Sequence, residues 1–112
     1  MNDDTLLDIA SAEILSCHRA GKPFNVTIMT TDNHAQSGFL SPRCHTSDAR
    51  PQIFRVIECT NHTIAGFMRE LEAEDVLNNI VLVVMGDHLF MKNKFWSNKS
   101  FGADKRWVFS IT

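Results

Sequence analysis

Asn79-Ile80-Val81-Leu82-Val83-Val84-Met85-Gly86-Asp87-His88 is the stretch on which the fold turns. Its six consecutive apolar residues, Ile80 to Met85, run straight into Gly-Asp-His. An unbroken apolar run of this length predicts a strand buried on both faces, as in a parallel sheet with helices above and below. The residues after it then sit at the carboxyl end of the strand, where open α/β sheets place their ligand sites. A carboxylate and an imidazole, adjacent in sequence, emerge at that end.

Working back from this run, Asn78-Asn79 make the turn into it. Ile64, Phe67, Met68 and Leu71 keep i, i+3, i+4, i+7 spacing, which predicts an amphipathic helix capped by Thr60 or Asn61 and reaching about Glu74. Glu70, Glu72, Glu74 and Asp75 oppose its dipole and are expected in solvent. Residues 35 to about 57 show little periodicity and carry Gly38, Pro42 and Pro51. A connection this long is uncommon in a compact domain and is often a binding loop. Ile53, Phe54, Val56 and Ile57 bring its end back to the core. Phe24 to Thr30 alternates, with Phe24, Val26 and Ile28 on one face, and reads as a strand. Strand, loop, helix and strand from Phe24 to Met85 predict a parallel pair with a right-handed crossover.

The flanks complete the outline. Leu7, Ala10, Ile14 and Cys17 form a stripe predicting a helix from Thr5 to about Ala20, with Asp3 and Asp4 just before it and His18 and Arg19 near its end. Gly21 stops it and Pro23 opens the next element. Beyond His88, the stretch 89–96 is mixed in character, Asn98, Ser100 and Gly102 suggest a loop, and Arg106 to Ile111 reads as a last strand. The fold class expected is α/β, a mainly parallel sheet with flanking helices. Residues 1–112 are read as a single domain or as a fragment, because so thin a sheet looks like a piece cut from a larger one.

The 112 residues are 44% hydrophobic and 21% charged, with a net charge of -2, which gives no basic patch for nucleic acid. No apolar run approaches the roughly 20 residues of a membrane span. The acidic N-terminus lacks the basic and apolar regions of a signal peptide. Taken alone the chain is expected to be soluble. Cys17, Cys44 and Cys59 include no CxxC pair. Cys44 and Cys59 flank 14 residues and can close a loop in an oxidising compartment, whereas Cys17 falls in a helix pattern and suits a small buried apolar role.

Asp87 and His88 are the leading site candidates. Carboxylate oxygen and imidazole nitrogen both ligate divalent metals, and Gly86 permits the bend that turns both toward one ion. The alternative makes Asp87 a cap of the next segment and His88 a surface residue. Asp32 and His34 leave the other predicted strand end. His34 can serve as a ligand, a phosphate-binding donor or a proton donor. Equally, Asp32 can close an Asx-type turn with His34 in solvent. His18, His45 and His62 carry weaker signals, and Lys92, Lys94 and Lys99 suit either a bound anion or a solvated loop. There is no Gly-rich phosphate loop, Gly-x-Ser-x-Gly elbow or His-Glu-x-x-His.

Together the two clusters resemble the alkaline-phosphatase/sulfatase superfamily, nearest the phosphoglycerol-transferase branch that modifies periplasmic glucans and is related to lipoteichoic acid synthases. Three stretches carry the resemblance: Pro23 to His34 with Gly38-Phe39; Cys44 and Cys59-Thr60 with Ile64-Ala65-Gly66-Phe67; and Val83 to Leu89 with Met91, Asn93 and Trp96. It spans roughly residues 22 to 112. The resemblance implies that this chain is part of an alkaline-phosphatase-like α/β/α sandwich. Asp87 and His88 match the family's late metal ligands, and His34 matches the histidine that contacts the phospho-group or its glycerol. A divalent ion, most often manganese in this branch, with magnesium, zinc or calcium as alternatives, is implied, bound weakly by this portion alone. The family's Thr or Ser nucleophile has no counterpart here, since Thr5, Thr27, Thr30 and Thr31 lie outside that motif, and no catalytic residue is assigned. The substrate implied is phospholipid-derived, or another phosphodiester or sulfate ester, and the location is the periplasmic face of the inner membrane within a longer protein. The rival expectation is a non-catalytic α/β binding module that associates with itself, through an exposed sheet edge, or with a partner chain.

Overall fold

Leu7, Ala10, Ser11, Ile14 and Leu15 recur at helical spacing, and in the computed structural model they form the buried face of helix α1, Asp3–Arg19. The structure describes residues 1–34, 37–88, 108 and 110–112. At the end of α1, Gly21 takes a left-handed φ of 62°. The Gly21 N–H donates to His18 O at 3.0 Å and the Lys22 N–H to Cys17 O at 3.0 Å, which ties off the last carbonyls in a Schellman arrangement. The predicted stop therefore agrees with the structure to one residue, while the helix begins at Asp3, two residues before the expected Thr5.

The second helix, α2, runs from Gln52 to Ala73. The sequence placed its start at Thr60 or Asn61, so the structure adds two turns. Pro51 stands at the N-cap, and Ile53, Val56 and Thr60 extend the stripe of Phe67 and Leu71 backward to form one buried face. Polar and β-branched residues between Thr60 and Thr63 hide this continuity, because they are weak helix formers that packing overrides. The end of α2 repeats the closure of α1 with a different residue. Asp75 takes φ 62°, Asp75 N–H donates to Glu72 O at 3.0 Å and Val76 N–H to Leu71 O at 2.9 Å. Leu71 and Val76, both fully buried, supply the apolar contact that accompanies this motif. Glu74 meets Arg19 at 2.8 Å on the surface. A single 3-10 turn, Leu77–Asn79, follows where the sequence placed a turn.

Helix α1 packs on α2. Their shared core is Leu7, Ala10, Ile14 and Leu15 with Ile53, Val56, Phe67, Leu71 and Val76. Apart from Ala10, each such side chain contributes on the order of 1.5–3 kcal/mol when fully buried. Residues 1–79 make up one compact unit and residues 80–112 a second.

Two strand expectations are corrected within the first unit and its successor. Phe24–Thr30 lies outside any strand: Phe24 and Ile28 are half-buried, while Val26 and Met29 are exposed. In the second unit only Val84–Met85 forms a strand, β1, and it pairs antiparallel with β2, Ser110–Ile111. The register sets Val84 opposite Ile111 and Met85 opposite Ser110. The expected parallel pair of 24–30 with 80–85 is thus not formed among the described residues. Nor is the run covered on both faces: Val81, Val83 and Met85 are 82%, 50% and 63% exposed, and Ile80, Leu82 and Val84 alternate with them as half-buried residues. Parallel strands are stable when both faces are covered, and a run with one open face lacks that support. Of the last predicted strand, Arg106 to Ile111, the structure retains Ser110–Ile111. The readings made for residues 89–107 lie outside the described residues.

Candidate functional site

Gly86 ends β1 and the chain bends at Asp87 and His88. The His88 backbone N–H donates to Asp87 Oδ1 at 2.8 Å, and His88 Nε2 stands 3.5 Å from Asp87 Oδ2. Both side chains are more than half exposed. Carboxylate oxygen and imidazole nitrogen are both donor types that divalent ions accept. Two donors leave most of a coordination sphere to other groups. Among the described residues no group of three or more His, Cys, Asp or Glu side chains is arranged to hold a metal.

His34 belongs to the first unit, on a turn that other residues hold. Its N–H donates to Thr31 O at 3.0 Å, and Phe39 N–H donates to Asp32 O at 2.6 Å. Gly38 closes the loop with φ 67°; a Cβ there would stand 2.8 Å from Asp32 O and 2.9 Å from Val56 Cγ1, so only glycine fits. Gln52 at the start of α2 donates from Nε2 to Gly38 O at 2.9 Å. His34 itself is exposed, whereas Asp32 is buried. Among the described residues the Asp32 carboxylate bonds to the start of α1 rather than closing an Asx turn. It accepts the Asp3 backbone N–H at 3.0 Å, satisfying an orphan donor at the start of α1. In return the Asp3 carboxylate accepts the N–H of Thr31 at 2.8 Å and of Asp32 at 3.1 Å. Asp3 was legible in the sequence only as a dipole partner, since its contacts lie 28 and 29 residues away.

Asp4 anchors the neighbouring part of the same unit. The Ser41 hydroxyl donates to its carboxylate, and Arg43 Nε lies 3.8 Å away while Arg43 Nη1 meets Asp8 at 2.6 Å. Burial pushes the Asp4 carboxyl up, but hydrogen bonds from Ser41 and Thr5 and the Arg43 charge outweigh it and hold it below its ordinary value of 3.8. Asp4, Arg43, His45, Cys59, His62 and Glu70 stand around a shallow cleft of about 350 Å³ in this unit, which His34 does not line. Cys44 and Cys59 are bridged there, with Cα atoms 5.8 Å apart, and Cys17 is free and half-buried. The loop closure left open by the sequence is therefore present.

The sulfatase family profile matches residues 1–107, and the chain belongs to that family, within the alkaline phosphatase superfamily. The family fold is alkaline-phosphatase-like α/β, and the superfamily generally uses divalent metals. The chain is 35% identical over 99 residues to phosphoglycerol transferase I of Citrobacter koseri, and 34% identical over 99 residues to the proteins of the same name from Escherichia coli and Salmonella arizonae. Each match covers 84% of this chain and 13% of the relative. No solved structure matches. No helix among the described residues is long and apolar enough to cross a membrane.

Proposed function

We propose that these 112 residues form the C-terminal portion of the catalytic domain of a metal-dependent phosphoglycerol transferase, a sulfatase-like enzyme that moves phosphoglycerol from a lipid donor to a periplasmic glucan. The observation that carries this reading is the convergence of Asp87 and His88 at the end of an apolar strand in a sulfatase-family chain. The names of its relatives support the reaction, and their length supports the view that this chain supplies one part of the domain. Asp87 and His88 hold a divalent ion, manganese foremost. Such an ion, when bound, polarises phosphoryl oxygens and lowers the pKa of a hydroxyl nucleophile. His34 contacts the phospho-group or its glycerol through its imidazole. No hydroxyl of this chain is assigned as nucleophile, so the chain alone is inactive. The Cys44–Cys59 bridge supports placement on the periplasmic side, where disulfides persist.

The test is a manganese titration of the isotopically labelled chain by NMR. Paramagnetic broadening is expected at the Asp87 and His88 amides, and is expected to vanish in Asp87→Ala. Broadening that ignores this substitution would remove the metal assignment. Turnover of a phosphodiester by the purified chain, lost in the same variant, would remove the claim of incompleteness.

A second reading draws on the exposed face of Val81, Val83 and Met85. On it the chain is a non-catalytic α/β binding module that associates with itself through an open sheet edge or with a partner chain. A concentration-dependent mass in light scattering, reduced by Val81→Lys, would favour it.

A further inference from the structure

We infer that Asp3, at the start of α1, is a positioning residue for His34, an inference that rests on the reading of His34 as the substrate contact. The two residues lie in different elements, and what joins them is a reciprocal exchange between backbone and carboxylate. Asp3 uses both oxygens on the turn: Oδ1 accepts from Thr31 N at 2.8 Å and Oδ2 from Asp32 N at 3.1 Å. Asp32 answers through Oδ2 with the Asp3 N–H at 3.0 Å, and Asn2 Nδ2 lies 3.4 Å from each Asp32 oxygen. Asp3 and Asp32 are 2% and 7% exposed. Hydrogen bonds from backbone N–H to a carboxylate are charge-assisted and about twice as strong as neutral ones. The turn then passes the constraint on, because Thr31 O accepts the His34 N–H at 3.0 Å. On its other side Asp32 O accepts from Phe39 N and abuts buried Gly38.

The backbone that carries His34 is thus fixed at Thr31 by α1 and at Asp32 by both α1 and the 38–39 segment. The imidazole is exposed at the end of this braced turn. Preorganisation of this kind is what a group that must meet a phosphoryl oxygen or a hydroxyl at hydrogen-bond distance requires. Nothing in the pattern Asp3-Asp4-Thr5 announces the role, because the partners are far away in sequence.

The experiment compares the full chain with Asp3→Asn. Asparagine keeps one acceptor and sets an amide donor against the other backbone N–H. Amide hydrogen exchange is expected to quicken about tenfold or more at Thr31, Asp32 and His34, the loss of about one charge-assisted hydrogen bond. Ala10 and Ile14 in α1 and Leu71 in α2 should keep their protection, and the His34 ring carbon–proton signal should shift. Unchanged exchange at the turn overturns the inference, and so does a uniform loss across α1 and α2, which would mark Asp3 as a general stabiliser. If Asp3→Asn does not fold, Asp3→Glu displaces both acceptors while keeping them, and the same local pattern is required. A separate arm titrates glycerol phosphate into the wild-type chain, Asp3→Asn and His34→Ala. The expected order is loss in His34→Ala and an affinity about tenfold weaker in Asp3→Asn. Equal affinity in wild type and Asp3→Asn, with loss in His34→Ala, overturns the positioning inference. No binding to wild type, or equal binding to His34→Ala, overturns the substrate reading of His34 and leaves the exchange result to decide whether Asp3 braces the turn.

Discussion

The α1–α2 pair and the Ile80–Met85 run are both strongly apolar, and the structure treats them differently. In the first unit, Leu7, Ile14, Ile53, Val56 and Leu71 are all less than a tenth exposed, and each helix covers the other. In the second, alternate residues of the run remain open, with Val81 82% exposed. The difference lies in what each pattern requires. A helix stripe can be covered by one neighbouring helix, whereas a strand of a central sheet needs neighbours on two edges and two faces. The facing stripes of α1 and α2 are therefore covered within the first unit. The second leaves Val81, Val83 and Met85 open on one side of its run.

The comparison breaks if substitutions in the two units cost alike. Leu71→Ala should have the largest effect, about 2–5 kcal/mol of stability by urea denaturation, because the site is fully buried. Removing the Cys44–Cys59 bridge by a double change to serine should follow, at about 3 kcal/mol for a loop of this length, read from thermal unfolding under non-reducing conditions. Ser41→Ala should cost about 1–3 kcal/mol at neutral pH, by leaving the buried Asp4 carboxylate short of a donor. Its sign with pH follows from Asp4. A carboxyl held below 3.8 stabilises the fold above that value, and the contribution is lost as pH falls through its lower folded value. The gap between wild type and Ser41→Ala should then narrow in acid. Val81→Thr should be smallest, within about 0.5 kcal/mol either way. A Val81→Thr cost rivalling that of Leu71→Ala would mean the run is covered after all.

How much of this the sequence showed depends on the range of each interaction. Helix α1 was legible from Leu7, Ala10 and Ile14 and from Gly21, because stripe and stop are local. The later half of α2 was legible for the same reason. Its first two turns carried a usable signal, Ile53, Val56 and Thr60 behind Pro51, that the polar stretch after Cys59 obscured. Val84–Met85 and Ser110–Ile111 fall within two of the predicted strands, but their extent and pairing were not legible, because periodicity reports the conformation of a segment and says nothing of its partner, and Phe24–Thr30 alternates without forming a ladder. At the candidate site, Asp87 and His88 were visible because neighbours in sequence are neighbours in space. The bracing of His34 was not, since Asp3 and Asp32 meet across 29 residues.

Gly38 carries this long-range order into mutational tolerance. Its missing side chain is what lets Val56 of α2 and the Asp32 carbonyl close on one point from opposite elements. In a library randomised at position 38 and selected for folding, the survivors should be glycine almost alone. A second change at Val56 should not rescue other residues, because the Asp32 carbonyl and the left-handed φ remain.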